Sequence, residues 1–339
     1  MIAQRPTPHR LRRALPITLA AMVALALCGV IAAKMSPWPS AMLIRWAFDR
    51  GGAAMNGALA SHVPAGIRTE SDLRYDASDP DARMDIHRPA ALDGKALPVI
   101  VWIHGGGFIA GSRTDVANYA RLLAADGYAV VAVDYSLAPE HRYPLPLHQI
   151  NRALAYLSDN AGRLHLDMSR VVIGGDSAGA QLAAQLALIT TSPDYAQAMT
   201  LSSALSPSQL RGVVLFCGPF DGRSTTSSPS WFERTVVWSY FGSPSPPPEH
   251  DTFSVAPRVT KEFPPAFISV GNGDSLAPQS IALADALQSQ GVSVDTLFYP
   301  ASHQPALGHE YQFDFSLPES QNAFARTRAF LRAHLAPSP

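Results

Sequence analysis

One serine in this sequence lies in a setting that suits nucleophilic chemistry. The motif Gly175-Asp176-Ser177-Ala178-Gly179 follows the apolar residues 171–173 and precedes a helix-favouring stretch, residues 178–189. Small residues two positions either side of Ser177 permit a sharp strand-to-helix turn that exposes the hydroxyl. A serine on such a turn can attack an acyl carbonyl. The pattern therefore predicts an acyl-transfer site with Ser177 as its nucleophile.

A glycine-rich motif supplies a second part of such a site. His104-Gly105-Gly106-Gly107 closes another apolar run, residues 97–103. Because glycines have no Cβ, their backbone N–H groups can come close to an oxygen that develops negative charge. His104 is expected to shape this turn and not to act as a base. The motif predicts an oxyanion hole beside the serine.

A serine nucleophile also needs a base and a carboxylate that orients the base. On this type of scaffold the chain order is serine, acid, histidine. Asp274 follows the predicted strand 266–270 and is the preferred acid, whereas Asp221 follows the preceding strand and is its rival. His303 and His309 both follow the last predicted strand. Position alone leaves both histidines open as the base.

The remaining pattern predicts an α/β fold. Runs of Val, Ile and Leu without polar alternation indicate strands of a parallel sheet covered by helices on both faces. Strands are predicted for residues 67–75, 82–88, 97–103, 128–134, 171–173, 213–217, 266–270 and 293–299, and helices for residues 116–125, 146–160, 178–189, 278–290 and 319–334. The Pro- and Ser-rich residues 203–209 and 224–248 are expected to pass over the carboxyl edge of the sheet as parts of a cap.

Composition limits the possible functions. The 339 residues carry a net charge of −1 with dispersed basic residues, so we expect no nucleic-acid partner. Two cysteines provide no disulfide framework for the globular part. Residues 67–339 are predicted to form one catalytic domain. Its chemistry requires no metal and no organic cofactor, and the sequence defines no oligomeric state.

The amino terminus predicts contact with a membrane. Four arginines precede the uncharged residues 14–33, a length that can cross a bilayer. Residues 1–34 are therefore expected to be a membrane anchor of an exported domain, or a cleaved signal of a secreted or periplasmic protein. Residues 35–66 would form a juxtamembrane or cap segment, with Trp38 and Trp46 on a helix that Gly51-Gly52 interrupts.

Four motifs together resemble the hormone-sensitive-lipase group of α/β-hydrolase esterases, over residues 65–335. They are His104-Gly105-Gly106-Gly107-Phe108, Asp134-Tyr135-Ser136-Leu137-Ala138-Pro139-Glu140, Gly175-Asp176-Ser177-Ala178-Gly179 and Gly273-Asp274-Ser275-Leu276. The resemblance implies an α/β-hydrolase fold with a small cap from the amino-terminal segment and inserted loops. It also implies Ser177 as nucleophile, Asp274 as acid, and Gly105, Gly106 and Ala178 as backbone donors of the oxyanion hole.

The resemblance also favours His309, because His309-Glu310-Tyr311 fits the family's pattern of histidine, any residue and an aromatic. Departures are Ser136 in place of a common arginine, Ala180 in place of a glycine, and a longer loop over residues 300–309. The implied function is hydrolysis of short- to medium-chain esters of small molecules. Amide or peptide hydrolysis by the same triad, and a non-catalytic binding module, are the alternatives.

Overall fold

The computed structural model describes residues 22–24, 27–222, 229–245 and 248–336. Within them, one eight-stranded sheet has the order β1-β2-β4-β3-β5-β6-β7-β8. Strands β1 and β2 pair antiparallel, as do β2 and β4, and the other neighbours are parallel. The strands are β1 (Ile67–Arg74), β2 (Arg83–Pro89), β3 (Leu97–Ile103), β4 (Ala129–Val133), β5 (Leu166–Asp176), β6 (Leu210–Phe216), β7 (Ala266–Val270) and β8 (Val294–Phe298).

Helices cover both faces of this sheet. They are α1 (Trp38–Leu59), α2 (Ala117–Ala124), α3 (Leu145–Asp159), α4 (Ala178–Thr191), α5 (Pro193–Ala198), α6 (Trp231–Phe241), α7 (Ala277–Ser289) and α8 (Pro318–Leu335). All seven residues of β3 are buried: Val99, Val101 and Ile103 pack in one hydrophobic cluster, and Ile100 and Trp102 pack in the other. This two-sided burial explains the continuous apolar runs and confirms the predicted α/β fold.

The predicted strands and helices agree with the structure except at some ends. Strand β5 runs from Leu166 to Asp176, well beyond the predicted residues 171–173, while Cys217 lies just outside β6. Helices α5 and α6 were not predicted, because the sequence around them is rich in Pro and Ser. Helix α6 begins with a capping box, in which the Ser230 and Glu233 side chains satisfy each other's backbone N–H groups.

The predicted break at Gly51-Gly52 is wrong, because α1 runs through both residues. A Cβ on Gly52 would lie 2.8 Å from Cγ of Asp115, which is closer than such atoms approach in proteins. Glycine at this position thus lets α1 pack closely against the loop before α2. Gly52 is therefore needed for the contact between α1 and this loop, and not for a turn.

Helices α1 and α6 form the cap beside the carboxyl end of the sheet. The rings of Phe48 and Phe232 are in contact, with centroids 5.6 Å apart. Arg45 of α1 reaches the body of the molecule: both of its Nη atoms donate to Glu140 at 2.7 Å, and Nε donates to the carbonyl of Ile109 at 2.6 Å. Glu140 therefore helps to hold α1 on the body of the molecule.

Before the cap, the described part of the chain contains an amino-terminal helix, Met22–Met35. No single described helix is both long and apolar enough to span a bilayer, but this helix and the segment Trp38–His62 meet that test as a pair bent by 97°. Residues 14–21 and 25–26 of the predicted anchor lie outside the described residues. The anchor, the cleaved signal and the domain boundaries stay predictions.

Candidate active site

Ser177 lies on a sharp turn between β5 and α4. Its backbone has φ 50° and ψ −118°, a region that L-residues rarely adopt. The flanking glycines are needed for contact: a Cβ on Gly175 would lie 2.6 Å from the carbonyl oxygen of Ile103, and one on Gly179 would lie 2.6 Å from that of His104. The sharp turn that the motif predicted is present, and it packs directly against the end of β3.

Three side chains from distant parts of the chain meet at this turn. Nε2 of His309 lies 2.9 Å from Oγ of Ser177, and Nδ1 lies 2.7 Å from Oδ2 of Asp274. The Asp274 side chain is 1% exposed, and its Oδ1 accepts the N–H of Leu276 at 2.8 Å. Since a carboxylate accepts the Nδ1 proton, Nε2 is free to accept the serine proton.

The long loop before His309 is fixed by the loop that carries the acid. Asn272 accepts the N–H of Leu307 at 2.9 Å and donates to the carbonyl of His303 at 3.0 Å. The N–H of Gly273 donates to the carbonyl of Leu307 at 2.9 Å. These bonds hold the extra residues between β8 and His309 against the acid's own loop.

Each rival residue has a different partner. Nε2 of His303 lies 2.9 Å from Oε1 of Glu319, and Asp221 accepts the Ser254 hydroxyl at 2.9 Å. The structure thus brings together Ser177, Asp274 and His309, and places His303 in a separate contact with Glu319. Chain position alone could not separate the two histidines.

The predicted oxyanion donors need one correction. The N–H of Gly105 donates to Oδ2 of Asp176 at 2.7 Å, so this donor is already used inside the protein. Within the described residues, the N–H groups of Gly106 and Gly107 have no acceptor, and the N–H of Ala178 belongs to the first turn of α4. Gly107 also lines the cavity beside Ser177. Sequence reasoning missed it, although it belongs to the same motif.

Comparison with known proteins agrees with this geometry. A family model described as alpha/beta hydrolase fold matches residues 100–305, which include the glycine motif, the serine turn and the acid. The chain is an α/β-hydrolase. Its predicted resemblance to the hormone-sensitive-lipase group is confirmed.

Several relatives of the hydrolase are known by sequence and by structure. Esterase LipC of Mycobacterium tuberculosis is 28% identical over 69% of this chain and 58% of its own length, and carboxylesterase NlhH of the same species is 29% identical over 70% and 74%. Esterase B from Lactobacillus rhamnosis superposes with a TM-score of 0.74 at 25% identity, covering 87% of this chain and 95% of that one. Esterase LipW from Mycobacterium marinum superposes with a TM-score of 0.69 at 26% identity, covering 88% of this chain and 91% of that one. The hydrolase thus spans little more than half of LipC.

In the hydrolase, burial opposes protonation of the His309 imidazole, whereas the hydrogen bond from its Nδ1 to the carboxylate of Asp274 favours it. Burial also raises the pKa of the Cys217 thiol, which is therefore neutral near pH 7. Asp274 is then the anion that stabilises an imidazolium formed during a reaction.

Metal binding would compete with these contacts. Among the described residues, ligand atoms of Cys217, Asp274 and His309 lie within 4.8 Å of one another. Two of these residues are already 2.7 Å apart in a hydrogen bond, whereas two ligands of one tetrahedral zinc ion lie about 3.3 Å apart. The observed arrangement is that of a hydrogen-bonded triad in the hydrolase.

A cavity of about 1110 Å³ opens beside Ser177. Its walls come from the glycine motif, from the serine turn and from both cap helices. Most cap residues that line it are apolar, including Phe48, Met55, Phe232, Val236 and Tyr240. The hydrolase therefore offers a large apolar cavity with its polar groups gathered around the serine, as expected for a small-molecule site.

Proposed function

We propose that this hydrolase is a serine carboxylic-ester hydrolase. The observation that carries the proposal is the continuous series of hydrogen bonds from Ser177 through His309 to Asp274. Relatives named esterase or carboxylesterase support it, as do structural neighbours with esterase names. The neighbouring N–H groups and the apolar cavity give the substrate carbonyl and its chains a place to bind.

The geometry suggests the following course of reaction. Oγ of Ser177 attacks the ester carbonyl while Nε2 of His309 takes its proton, and Asp274 stabilises the imidazolium. The N–H groups of Gly106, Gly107 and Ala178 donate to the oxyanion. His309 then gives its proton to the departing alcohol. Water, activated by the same histidine, releases the acid from the acyl-enzyme and restores the serine.

The cavity supports short- to medium-chain acyl groups as substrates. Its apolar walls provide room for several methylene groups, and each buried methylene contributes about 0.8 kcal/mol of transfer free energy. Esterase B, at 26% identity, is known in a form inhibited by a C4-C4 tributyrin phosphonate. Rates across p-nitrophenyl esters with acyl chains from two to sixteen carbons should peak in the short to medium range and fall for the longest chains.

The proposal predicts that Ser177→Ala removes ester hydrolysis, because no other group on this turn can form the acyl-enzyme. The full chain is assayed with p-nitrophenyl butyrate, and kcat/KM should fall by a factor of about 10³ or more. Ser275→Ala, at another serine that lines the cavity, is the matched control and should retain activity. His309→Ala should lose activity like Ser177→Ala, whereas His303→Ala should not. Undiminished turnover by Ser177→Ala would end the assignment.

Two further measurements separate the alternatives. A binding module without catalytic activity would not be labelled at Ser177 by a fluorophosphonate probe, whereas the proposed enzyme would. An amidase would hydrolyse an anilide as fast as the ester with the same acyl group. We expect labelling and a strong preference for the ester.

We also propose that the cap faces a lipid bilayer. Among the described residues, the large apolar side chains that are exposed, apart from Ile281, lie in residues 22–48 or at the start of α6. We define the apolar cap face as the exposed side chains of Trp38, Leu43, Trp46, Phe48, Trp231 and Phe232. It continues along the chain into the apolar residues 14–33, and Phe48 and Phe232 also line the cavity. This continuity supports an anchored enzyme with an exported domain.

A further inference from the structure

Two carboxyl groups meet behind the glycine motif. Asp176 ends β5 just before the nucleophile: its Oδ1 accepts the indole N–H of Trp102 at 2.9 Å, and its Oδ2 accepts the N–H of Gly105 at 2.7 Å. Glu310 follows the base, and its carboxyl is within hydrogen-bonding reach of Asp176. The pair therefore touches both the turn that holds the nucleophile and the loop that holds the oxyanion donors.

The backbone at Glu310 suggests that its side chain is needed. Glu310 has φ 59° and ψ 26°, in the left-handed region that glycine adopts at less cost. Its Oε1 approaches the glycine motif so closely that a Cβ on Gly105 would lie 2.8 Å from it. A glutamate kept in a conformation that disfavours it, with its carboxyl packed against the site, indicates a functional constraint.

We propose that Asp176 and Glu310 form a carboxylate–carboxylic acid pair that shares one proton, and that Glu310 acts through Asp176 as a positioning residue for the glycine motif. This inference rests on the proposed ester hydrolysis. Asp176 already accepts two N–H groups, so Asp176 is the carboxylate. Glu310 carries the proton and donates it to Asp176 as a third hydrogen bond.

Groups facing the pair make a second ionisation unfavourable. On its catalytic side, Asp274 opposes a second negative charge, whereas a protonated His309 would favour it; the thiol of Cys217 and the phenol of Tyr135 are buried nearby. If both carboxyls of the pair were ionised, three carboxylates would surround one imidazole. Burial raises the pKa of Glu310 to about 7, and the charge of Asp176 adds to this effect. Burial likewise raises the pKa of Asp176.

Loss of the shared proton would oppose catalysis in two ways. It would leave a carboxylate with Oε1 at 3.7 Å from Nε2 of His309, which would stabilise a proton on that atom and reduce the fraction of free base available to accept the serine proton. It would also place negative charge beside the loop whose N–H groups stabilise the oxyanion, and repulsion from Asp176 would loosen that loop. The protonated pair is therefore the competent form. Above its pKa, the competent fraction falls tenfold for each pH unit.

The test compares pH profiles of kcat/KM for the full chain and for Glu310→Gln, with p-nitrophenyl butyrate as substrate. The glutamine amide donates to Asp176 at every pH, so the variant should retain activity at pH 6 and lack the alkaline fall of the wild type. Two pH units above the pKa, Glu310→Gln should exceed the wild type by roughly 100-fold. Glu319→Gln, which alters the glutamate beside His303, is the matched control and should keep the wild-type profile.

Glu310→Gly is a second variant for the case that Glu310→Gln does not fold, because glycine suits the left-handed backbone at this position. It should lose rate at all pH values but also lack the alkaline fall. A fall in Glu310→Gln that parallels the wild type would overturn the proposal, since a merely structural side chain would lower the rate uniformly.

Unfolding supplies a readout that does not depend on activity. The folded pair holds its proton more tightly than the unfolded chain, so its stabilising effect is complete below about pH 4 and is lost as pH rises towards 7. The free energy of unfolding of Glu310→Gln should decline less over this range than that of the wild type. If the wild type hydrolyses no ester, the proposed function fails. The proposed carboxyl pair is then tested by the pH dependence of the free energy of unfolding alone, and an equal dependence in the wild type and Glu310→Gln would refute it.

Discussion

Ser177 is held in its unusual backbone conformation by close contacts on both sides of the turn. The flanking glycines lie against carbonyl oxygens of Ile103 and His104, and the Ser177 N–H donates to the carbonyl of Phe216 at 2.7 Å. These contacts determine where the hydroxyl points in the free enzyme. At the scale of the residue, the catalytic geometry therefore depends on the absence of Cβ atoms at the two glycines as much as on the triad itself.

Gly179→Ala tests this dependence. The added Cβ would collide with backbone atoms of Ile103 and His104, which cannot move without distorting β3. We expect a loss of about 3 kcal/mol in the free energy of unfolding, measured by urea denaturation. Gly162→Ala is the matched control, because nothing lies within 4 Å of its Cβ position. A Gly179→Ala variant as stable as the control would show that the turn tolerates a side chain.

Helix α1 shapes the cavity but is fixed to the body by few polar contacts. Arg45 donates to Glu140 and to the carbonyls of Ile109 and Ala138, and its side chain is 21% exposed. Such partly buried, charge-assisted bonds are stronger than ordinary surface ion pairs. At the scale of the element, Arg45 thus holds the middle of α1 against the body, while Asn56, which accepts the N–H of Asn118 at 2.8 Å, holds the later part of the helix.

Arg45→Ala should loosen α1 and weaken binding of longer acyl chains. For p-nitrophenyl octanoate we expect KM to rise roughly fivefold, equivalent to about 1 kcal/mol, with little change for the acetate. Steady-state kinetics with both esters provide the measurement. Arg50→Ala on the same helix is the control, because the Arg50 guanidinium lies over the ring of Trp46, a residue of α1 itself, with Cζ 4.2 Å from the ring centroid. Equal effects of both variants would contradict a specific role for Arg45.

Among the described residues, the exposed large apolar side chains other than those of residues 22–35 and Ile281 belong to the apolar cap face. Trp46 and Trp231 are 55% and 47% exposed on the two cap helices, whereas Ile281 lies alone on α7. Aromatic side chains of this kind favour the membrane–water interface. At the scale of the whole molecule, this face would direct the cavity towards lipid and admit esters that partition there.

The double variant Trp46→Ser/Trp231→Ser should uncouple the enzyme from lipid-borne substrate. In the full chain, hydrolysis of a long-chain ester carried in phosphatidylcholine vesicles should fall about tenfold, since roughly 1.4 kcal/mol of interfacial contact is lost. Hydrolysis of soluble p-nitrophenyl acetate should be unchanged. Ile281→Ser serves as the control for loss of an exposed apolar side chain. Equal loss on both substrates, or in the control, would contradict lipid docking.

Local patterns in the sequence were sufficient for the fold and for most of the site. Continuous apolar runs mark strands that are buried on both faces, and the glycines around Ser177 mark a turn that only small residues allow. These signals are local because periodicity and turn chemistry depend on neighbouring residues. The order of nucleophile and acid along the chain, together with the late strand that Asp274 follows, favours Asp274 over Asp221.

Tertiary structure decided what local patterns could not. Chain position left both His303 and His309 open, the family resemblance favoured His309, and the loop held by Asn272 brings His309 to the serine. The use of the Gly105 N–H by Asp176, and the meeting of Asp176 with Glu310, join residues far apart in the chain. Such contacts depend on how β3, β5 and the last loop pack together. No local pattern predicts them, because the two partners of each hydrogen bond are distant in sequence and become neighbours only in the folded chain.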